Sequence, residues 1–185
     1  SGLAVLNQDR IGHSFREQAL RVSLVRCATG DWDPCSDRGL VQASMRLLPH
    51  PGTAEEAGVP FRADEFNCPP VAWQITEDQT AEERGGQPVH GPFLSVKGPV
   101  QMSALKRAET GEGWIVRLWE PLGRPAQCEL IPGSHLDRAL VYEANLIEDP
   151  GSQMAFCAPG FPLTFRPFEV KSLLIRTEAG IRDGR

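Results

Sequence analysis

Residues 103–123, SALKRAETGEGWIVRLWEPLG, decide the fold. They divide into two strand-like limbs around the turn Gly111-Glu112-Gly113. In the second limb Trp114, Val116 and Leu118 alternate with Ile115, Arg117 and Trp119, so large apolar groups fall on both faces of one strand. Such a strand belongs inside a sandwich, not on an edge.

Working outward, the same short alternating pattern predicts strands over residues 93–96, 126–131, 140–146, 163–165 and 170–177. Upstream it predicts strands over 3–7 and 19–26, the latter with Leu20, Val22 and Leu24 on one face. A further strand puts Val41, Ala43, Met45 and Leu47 on one face. These last two are expected to pair as neighbours across the acidic loop 31–37. His50-Pro51-Gly52 ends the strand, since proline lacks a ladder donor. Thr53 and Glu56 then have capping-box spacing, in a helix that Gly58 and Pro60 should limit to about one turn before a restart over 63–67. A short strand is expected over 71–75. Residues 76–91, almost devoid of apolar side chains, read as a polar linker or loop between lobes 1–75 and 92–185. The fold class expected is all-β: an antiparallel β-sandwich in two sandwich-like lobes with one short helical excursion.

At 185 residues the chain can bury about 70% of its unfolded surface. Its net charge of −5, with no basic run, argues against a nucleic-acid backbone or an anionic membrane as partner. The apolar runs are far shorter than the roughly 20 residues that span a bilayer. Cys27, Cys35, Cys68, Cys128 and Cys157 are scattered with no C-x-x-C pair, and we read them as reduced thiols in a cytoplasmic protein. The opening Ser1, with a strand pattern already at Leu3, reads as a piece of a longer polypeptide behind a cloning residue.

Catalytic signatures are scarce. Glycoside hydrolysis needs two carboxylates across the scissile bond, and Glu55-Glu56 and Glu82-Glu83 lie in polar segments where solvated acids are expected. Asp31, Asp33 and Asp37 have the spacing of a calcium loop without its central glycine or closing glutamate. Gly111-Glu112-Gly113 precedes a strand where a dinucleotide site needs a helix, so it is a hairpin turn. The acids of this hairpin are unpaired. His13, His50, His90 and His135 stand apart in loops. Trp114 and Trp119, five residues apart, point to opposite faces; core packing is the default, and sugar stacking is the functional alternative for either.

Several segments together resemble the C-terminal β-sandwich region of the glycoside hydrolase family 38 α-mannosidases. The family's "G-x-A-L-L-N…Y-G-H…R…L-R-L-S-L-L-R" is matched by 2–7, Gly12-His13, Arg16 and 20–26, and its "Y-P-H-P-G" by 48–52. The hairpin "A-x-K…G-x-I-x-R-L-x-E" is similar to 103–106 with 113–120, and "x-P-F-E-I-K-T-L" to 166–173. The resemblance implies an exo-acting, retaining enzyme that removes α-linked mannose, with residues 1–75 the end of its large β-sandwich region and 92–185 its C-terminal β-sandwich lobe. Its nucleophile and zinc would lie in an N-terminal barrel that this chain does not match, so neither a catalytic residue nor a metal ligand nor a cofactor is assigned here. By the same resemblance, Asp9, Arg10 and His13 are candidates for the substrate-cleft rim or a domain interface, although Ile11 and Ser14 depart from the pattern. The implied partners are the catalytic barrel of the parent chain and a mannose-containing oligosaccharide, with homo-oligomerisation left open. A stand-alone carbohydrate-binding module is the alternative.

Overall fold

The computed structural model describes residues 1–8, 12–25, 39–72, 91–136 and 138–177. In chain order its elements are β1 (Gly2–Asn7), β2 (His13–Arg16), β3 (Ala19–Val22), β4 (Met45–His50), α1 (Val59–Asn67), β5 (Leu94–Lys97), β6 (Gln101–Arg107), β7 (Trp114–Trp119) and β8 (Ala126–Pro132). A 3-10 turn (Ser134–Leu136) follows, then β9 (Leu140–Ala144), β10 (Pro150–Gln153), β11 (Phe161–Phe165) and β12 (Val170–Arg176). All strand pairings are antiparallel. The chain is all-β, with one α-helix among the described residues, and divides into two compact units, Ser1–Trp73 and Gln74–Arg185. The expected 76–91 linker lies mostly outside the described residues.

The second unit is a sandwich of a five-stranded sheet, order β10-β9-β12-β7-β6, and a three-stranded sheet, order β11-β8-β5. Its core lies between the two sheets. Val116 and Leu118 of β7, Leu173 and Ile175 of β12 and Val141 of β9 meet Cys128 and Leu130 of β8 and Phe161, Leu163 and Phe165 of β11. Alternation along β11 is complete: Phe161, Leu163 and Phe165 are buried while Pro162 and Thr164 are exposed, which is the period-2 signature of a strand with one face in the core.

The reading of β7 as apolar on both sides holds. Ile115 and its register partner Leu174 form a second buried cluster with Ala108, on the side of the sheet away from the main core. Tyr142 and Ala144 pack against it, and long cationic side chains lie on the same side. Arg117 donates from Nε to Ser172 Oγ at 3.1 Å, and the Arg176 guanidinium lies 5.8 Å from the centre of the Tyr142 ring. The aliphatic stems of such residues shield apolar surface while their charged ends stay wet.

The first unit is described by itself. β1 pairs with β4, and β2 with β3. The expected pairing of the strand at 19–26 with the strand at 41–47 is therefore incorrect: β3 ends at Val22 and closes a local hairpin with β2, while β4 begins only at Met45 and pairs with β1. The loop 31–37 lies outside the described residues. Residues 71 and 72 are not strand.

The capping box forms as read, Thr53 N–H donating to Glu56 Oε2 at 2.8 Å and Glu56 N–H to Thr53 Oγ1 at 3.2 Å. It closes a turn, however, and does not start a helix. α1 starts after Gly58, whose φ of 63° is left-handed, with Pro60 in its first turn. Proline there initiates, since its missing N–H would be unsatisfied anyway and its φ is already helical. What had been read as a terminator is the start of a nine-residue helix.

Leu118 is fully buried and Leu146 is 69% exposed. Leu118→Ala is expected to cost about 2–5 kcal/mol through lost burial and the cavity left behind. Leu146→Ala should stay within about 0.5 kcal/mol. Urea unfolding of the two variants checks the contrast.

Candidate functional site

Glu120 directly follows β7 and has no solvent exposure. Its carboxylate is satisfied entirely by the main chain. Oε1 accepts from Leu122 N–H at 2.7 Å, and Oε2 accepts from Gly123 N–H at 2.7 Å, Arg124 N–H at 3.2 Å and Phe168 N–H at 3.0 Å. Its own N–H donates to Glu169 O at 3.0 Å. Burial alone would raise the pKa, but the four amides outweigh it and hold the group below the ordinary value of 4.5. Gly123 completes the corner: its φ is +69°, and a Cβ there would stand 2.5 Å from Phe168 Cζ.

Glu169, next along, accepts from Arg166 N–H at 2.7 Å and pairs with the Arg166 guanidinium at 3.1 Å. The amide bond of Arg166 lowers its pKa, against burial. Glu148 is paired with Lys106 at 2.7 Å and accepts from Glu109 N–H at 2.8 Å. Its pKa is lowered by Lys106 first and by that amide second. Lys106 also bonds Glu109, and the two carboxylates raise its pKa, Glu109 foremost. A general acid for glycoside cleavage needs a carboxyl whose pKa is raised. The three described carboxylates with resolved shifts all move the other way. They are built to stay ionised and to hold structure.

A cleft of about 670 Å³ lies around the 3-10 turn and the loop before β11. Leu136, Leu140, Phe156, Pro159 and Phe161 line it, with Ser134 and Arg138 as its polar members. No carboxylate is among these described lining residues. Its described lining can shelter an apolar group and holds no acid–base pair.

Asp9 and Arg10 lie outside the described residues. His13 opens β2 and is exposed, with Asn7 Nδ2 and His13 Nε2 at 3.0 Å. Trp114 packs at the margin of the main core, edge-on to Phe93 at 4.8 Å, and the Arg107 guanidinium lies 4.4 Å from the centre of its ring. Trp119 is half-buried on the opposite side of β7. Trp114 thus already carries a cation over its ring, where a stacked sugar would need a bare face.

Sequence reasoning missed Glu120. It appeared only as the last letter of the hairpin motif and as one of its unpaired acids. Its partners are backbone amides, not a cation or a second acid. The available signal was an acid closing a strand three residues before a glycine, a spacing that lets a carboxylate reach back to the amides of its own turn.

Two of the sequence motifs thus meet at one carboxylate, the hairpin through Glu120 and the 166–173 segment through Phe168 and β12. Residues 99–173 match the family model described as "Glycosyl hydrolases family 38 C-terminal beta sandwich domain". That match covers most of the second unit's strands, from β6 into β12. It is similar to human Alpha-mannosidase 2C1, with 29% identity over 177 residues, and to the mouse protein of that name, with 30% identity over 185 residues. In both cases 94% of this chain is covered, and the chain spans only 16% of the relative's length. The sandwich of the second unit is built around the Glu120 corner, and the outer side of its five-stranded sheet carries Arg117 and Arg176.

Three depressed carboxylates set the pH response of this sandwich. A folded-state pKa below the unfolded value of 4.5 gives stability that is present above that value and lost as pH falls through the folded pKa. The thermal midpoint is expected to hold steady from neutral pH to about 5 and to drop below about 4.5. Glu120→Gln should lower the midpoint at pH 7 and reduce that acid-side slope; an unchanged slope would sink the assignment. In the same sandwich burial pushes the Cys128 thiol up to about 11, whereas Cys68 and Cys157 are exposed. Maleimide at neutral pH should label the exposed pair in the native protein and Cys128 only after unfolding, as read by peptide mass spectrometry.

Proposed function

We propose that this chain is the non-catalytic C-terminal β-sandwich portion of a retaining, zinc-dependent α-mannosidase that removes α-linked mannose, and that it packs on and supports the catalytic barrel of its parent chain. The observation that carries this reading is the similarity of 94% of the chain to proteins named Alpha-mannosidase 2C1, joined to a family match over the sandwich. The commitment of Glu120, Glu148 and Glu169 to structural hydrogen bonds supports a supporting role over a catalytic one.

Zinc enters the proposal through the parent enzyme. Among the described residues no group of three or more His, Cys, Asp or Glu side chains is arranged to hold a metal ion. The described residues offer no metal site of their own. A cytoplasmic setting belongs to the same proposal, supported by the free thiols of Cys68, Cys128 and Cys157.

The test is an aryl α-mannoside assay. The intact parent polypeptide with zinc should turn over, and this chain alone should not. Turnover by the chain alone would overturn the supporting role, and an inactive parent would overturn the enzyme assignment. Mannose titrated onto the isolated chain should leave tryptophan fluorescence unchanged.

A further inference from the structure

The β8–β9 connection and the loop before β11 face each other across the cleft of about 670 Å³. A pocket of roughly 300–1,000 Å³ is the size that takes a small organic molecule. Its floor and rim differ in exposure. Phe161 and Leu136 are 2% and 3% exposed, whereas Phe156 is 59% exposed and stands edge-on to Phe161, with ring centres 5.3 Å apart.

A large aromatic side chain kept in water needs a support. The turn that carries Phe156 is closed by a reciprocal pair of main-chain hydrogen bonds, Cys157 N–H to Gly160 O and Gly160 N–H to Cys157 O, both at 2.9 Å. The ring is thereby presented from a fixed turn, and a ligand that covers it does not have to order the loop first.

The polar inventory of the cleft is short, and it selects the ligand. The amides of Gly133, Leu136 and Ala139 already donate to Phe93 O, Gly133 O and Leu136 O. What the described lining offers is the Ser134 hydroxyl and the Arg138 guanidinium. Arg138 has a φ of 57°, a left-handed conformation that residues other than glycine seldom adopt and that persists where the surroundings impose it. It already interacts within the chain. A guanidinium nevertheless carries five N–H donors, more than a single neighbouring acceptor uses.

We propose that this cleft is a binding site for a small aromatic carboxylate, whose ring packs against Phe156, Phe161 and Leu140 and whose carboxylate meets Arg138 and Ser134. Charge complementarity argues for the acid: with one cation and no carboxylate among the described lining residues, the cleft favours an anion, and a carboxylate is the planar partner of a guanidinium. The two phenyl groups argue for the ring, since a third ring adds edge-to-face or offset contacts that an alkyl chain lacks. A saccharide fits poorly. Its many hydroxyls would lose water against an apolar lining that returns hydrogen bonds from only two described polar side chains. The inference therefore goes beyond the α-mannosidase reading and does not depend on it.

The experiment is a calorimetric titration of the full-length parent polypeptide with cinnamate. Cinnamamide, which keeps the ring and loses the charge, and nonanoate, which keeps the charge and loses the ring, are titrated in parallel. Cinnamate is expected to saturate with a Kd on the order of 0.5 mM and to bind at least about fivefold tighter than either analogue. Arg138→Gln should weaken cinnamate at least about fivefold and leave cinnamamide within about twofold, while Phe156→Ala should weaken both at least about fivefold. Failure to saturate by about 10 mM, an affinity for cinnamamide or nonanoate equal to that for cinnamate, or cinnamate binding unchanged in either variant would overturn the proposal. Should a variant fail to fold, amide hydrogen exchange of the unmodified protein decides. Cinnamate is expected to slow exchange over 138–140 and 156–161, and slowing confined to other segments, or none at all, sinks the site.

Discussion

A carboxylate with no access to water must find its hydrogen bonds inside the protein, and Glu120 finds four of them in backbone amides. An ionised group in that position is costly unless every lone pair is used. The cost becomes an organising force because the donors come from two separate turns, 122–124 and the turn before β12. The corner after β7 and the entry to β12 are thereby held together, and with them the central pair of the five-stranded sheet. Each charged hydrogen bond of this kind contributes about 1.5–3 kcal/mol. Left without its acceptor, each buried amide would cost about 1–3 kcal/mol.

The same logic separates support from catalysis. A catalytic acid is made by burial without compensation, which raises the pKa. Here burial comes with compensation in excess, and the charge is locked on. Glu169 and Glu148 repeat the arrangement with fewer amides and nearby cations. The acidic side chains of this sandwich read as tie points between strands and turns.

Much of the second unit was legible in the sequence because its strands alternate cleanly and its turns carry glycine. β7, β11 and β12 are the clearest cases: their inward residues are all large and aliphatic or aromatic, and the resulting core obeys that pattern. β10, with the sequence PGSQ, was not legible, since an edge strand with every residue exposed has no hydrophobic period to read. β2, HSFR, failed for the same reason. The error in pairing β3 with β4 came from assuming that sequence neighbours are spatial neighbours, when β1 lies across from β4 instead. Pro60 misled because proline carries opposite meanings at the two ends of a helix. At the site, Asp9 and Arg10 fall outside the described residues, while Glu120 was hidden because no pattern of side-chain types announces a carboxylate whose partners are all main chain.

The strand order of the large sheet has a consequence for how the chain is made. β12 is the last described strand in sequence yet lies in the interior, between β9 and β7. Until it emerges from the ribosome, the β6–β7 and β9–β10 hairpins have no common partner, and Glu120 lacks the Phe168 amide that completes its set. At synthesis rates of about 5–20 residues per second, the roughly 50 residues after Glu120 take several seconds to appear. During that interval the apolar faces of β7 and β9 stand open. A message truncated shortly before this strand would release a chain with its largest sheet split in two, a product suited to recognition by chaperones and proteases rather than to slow decay as a weakened domain.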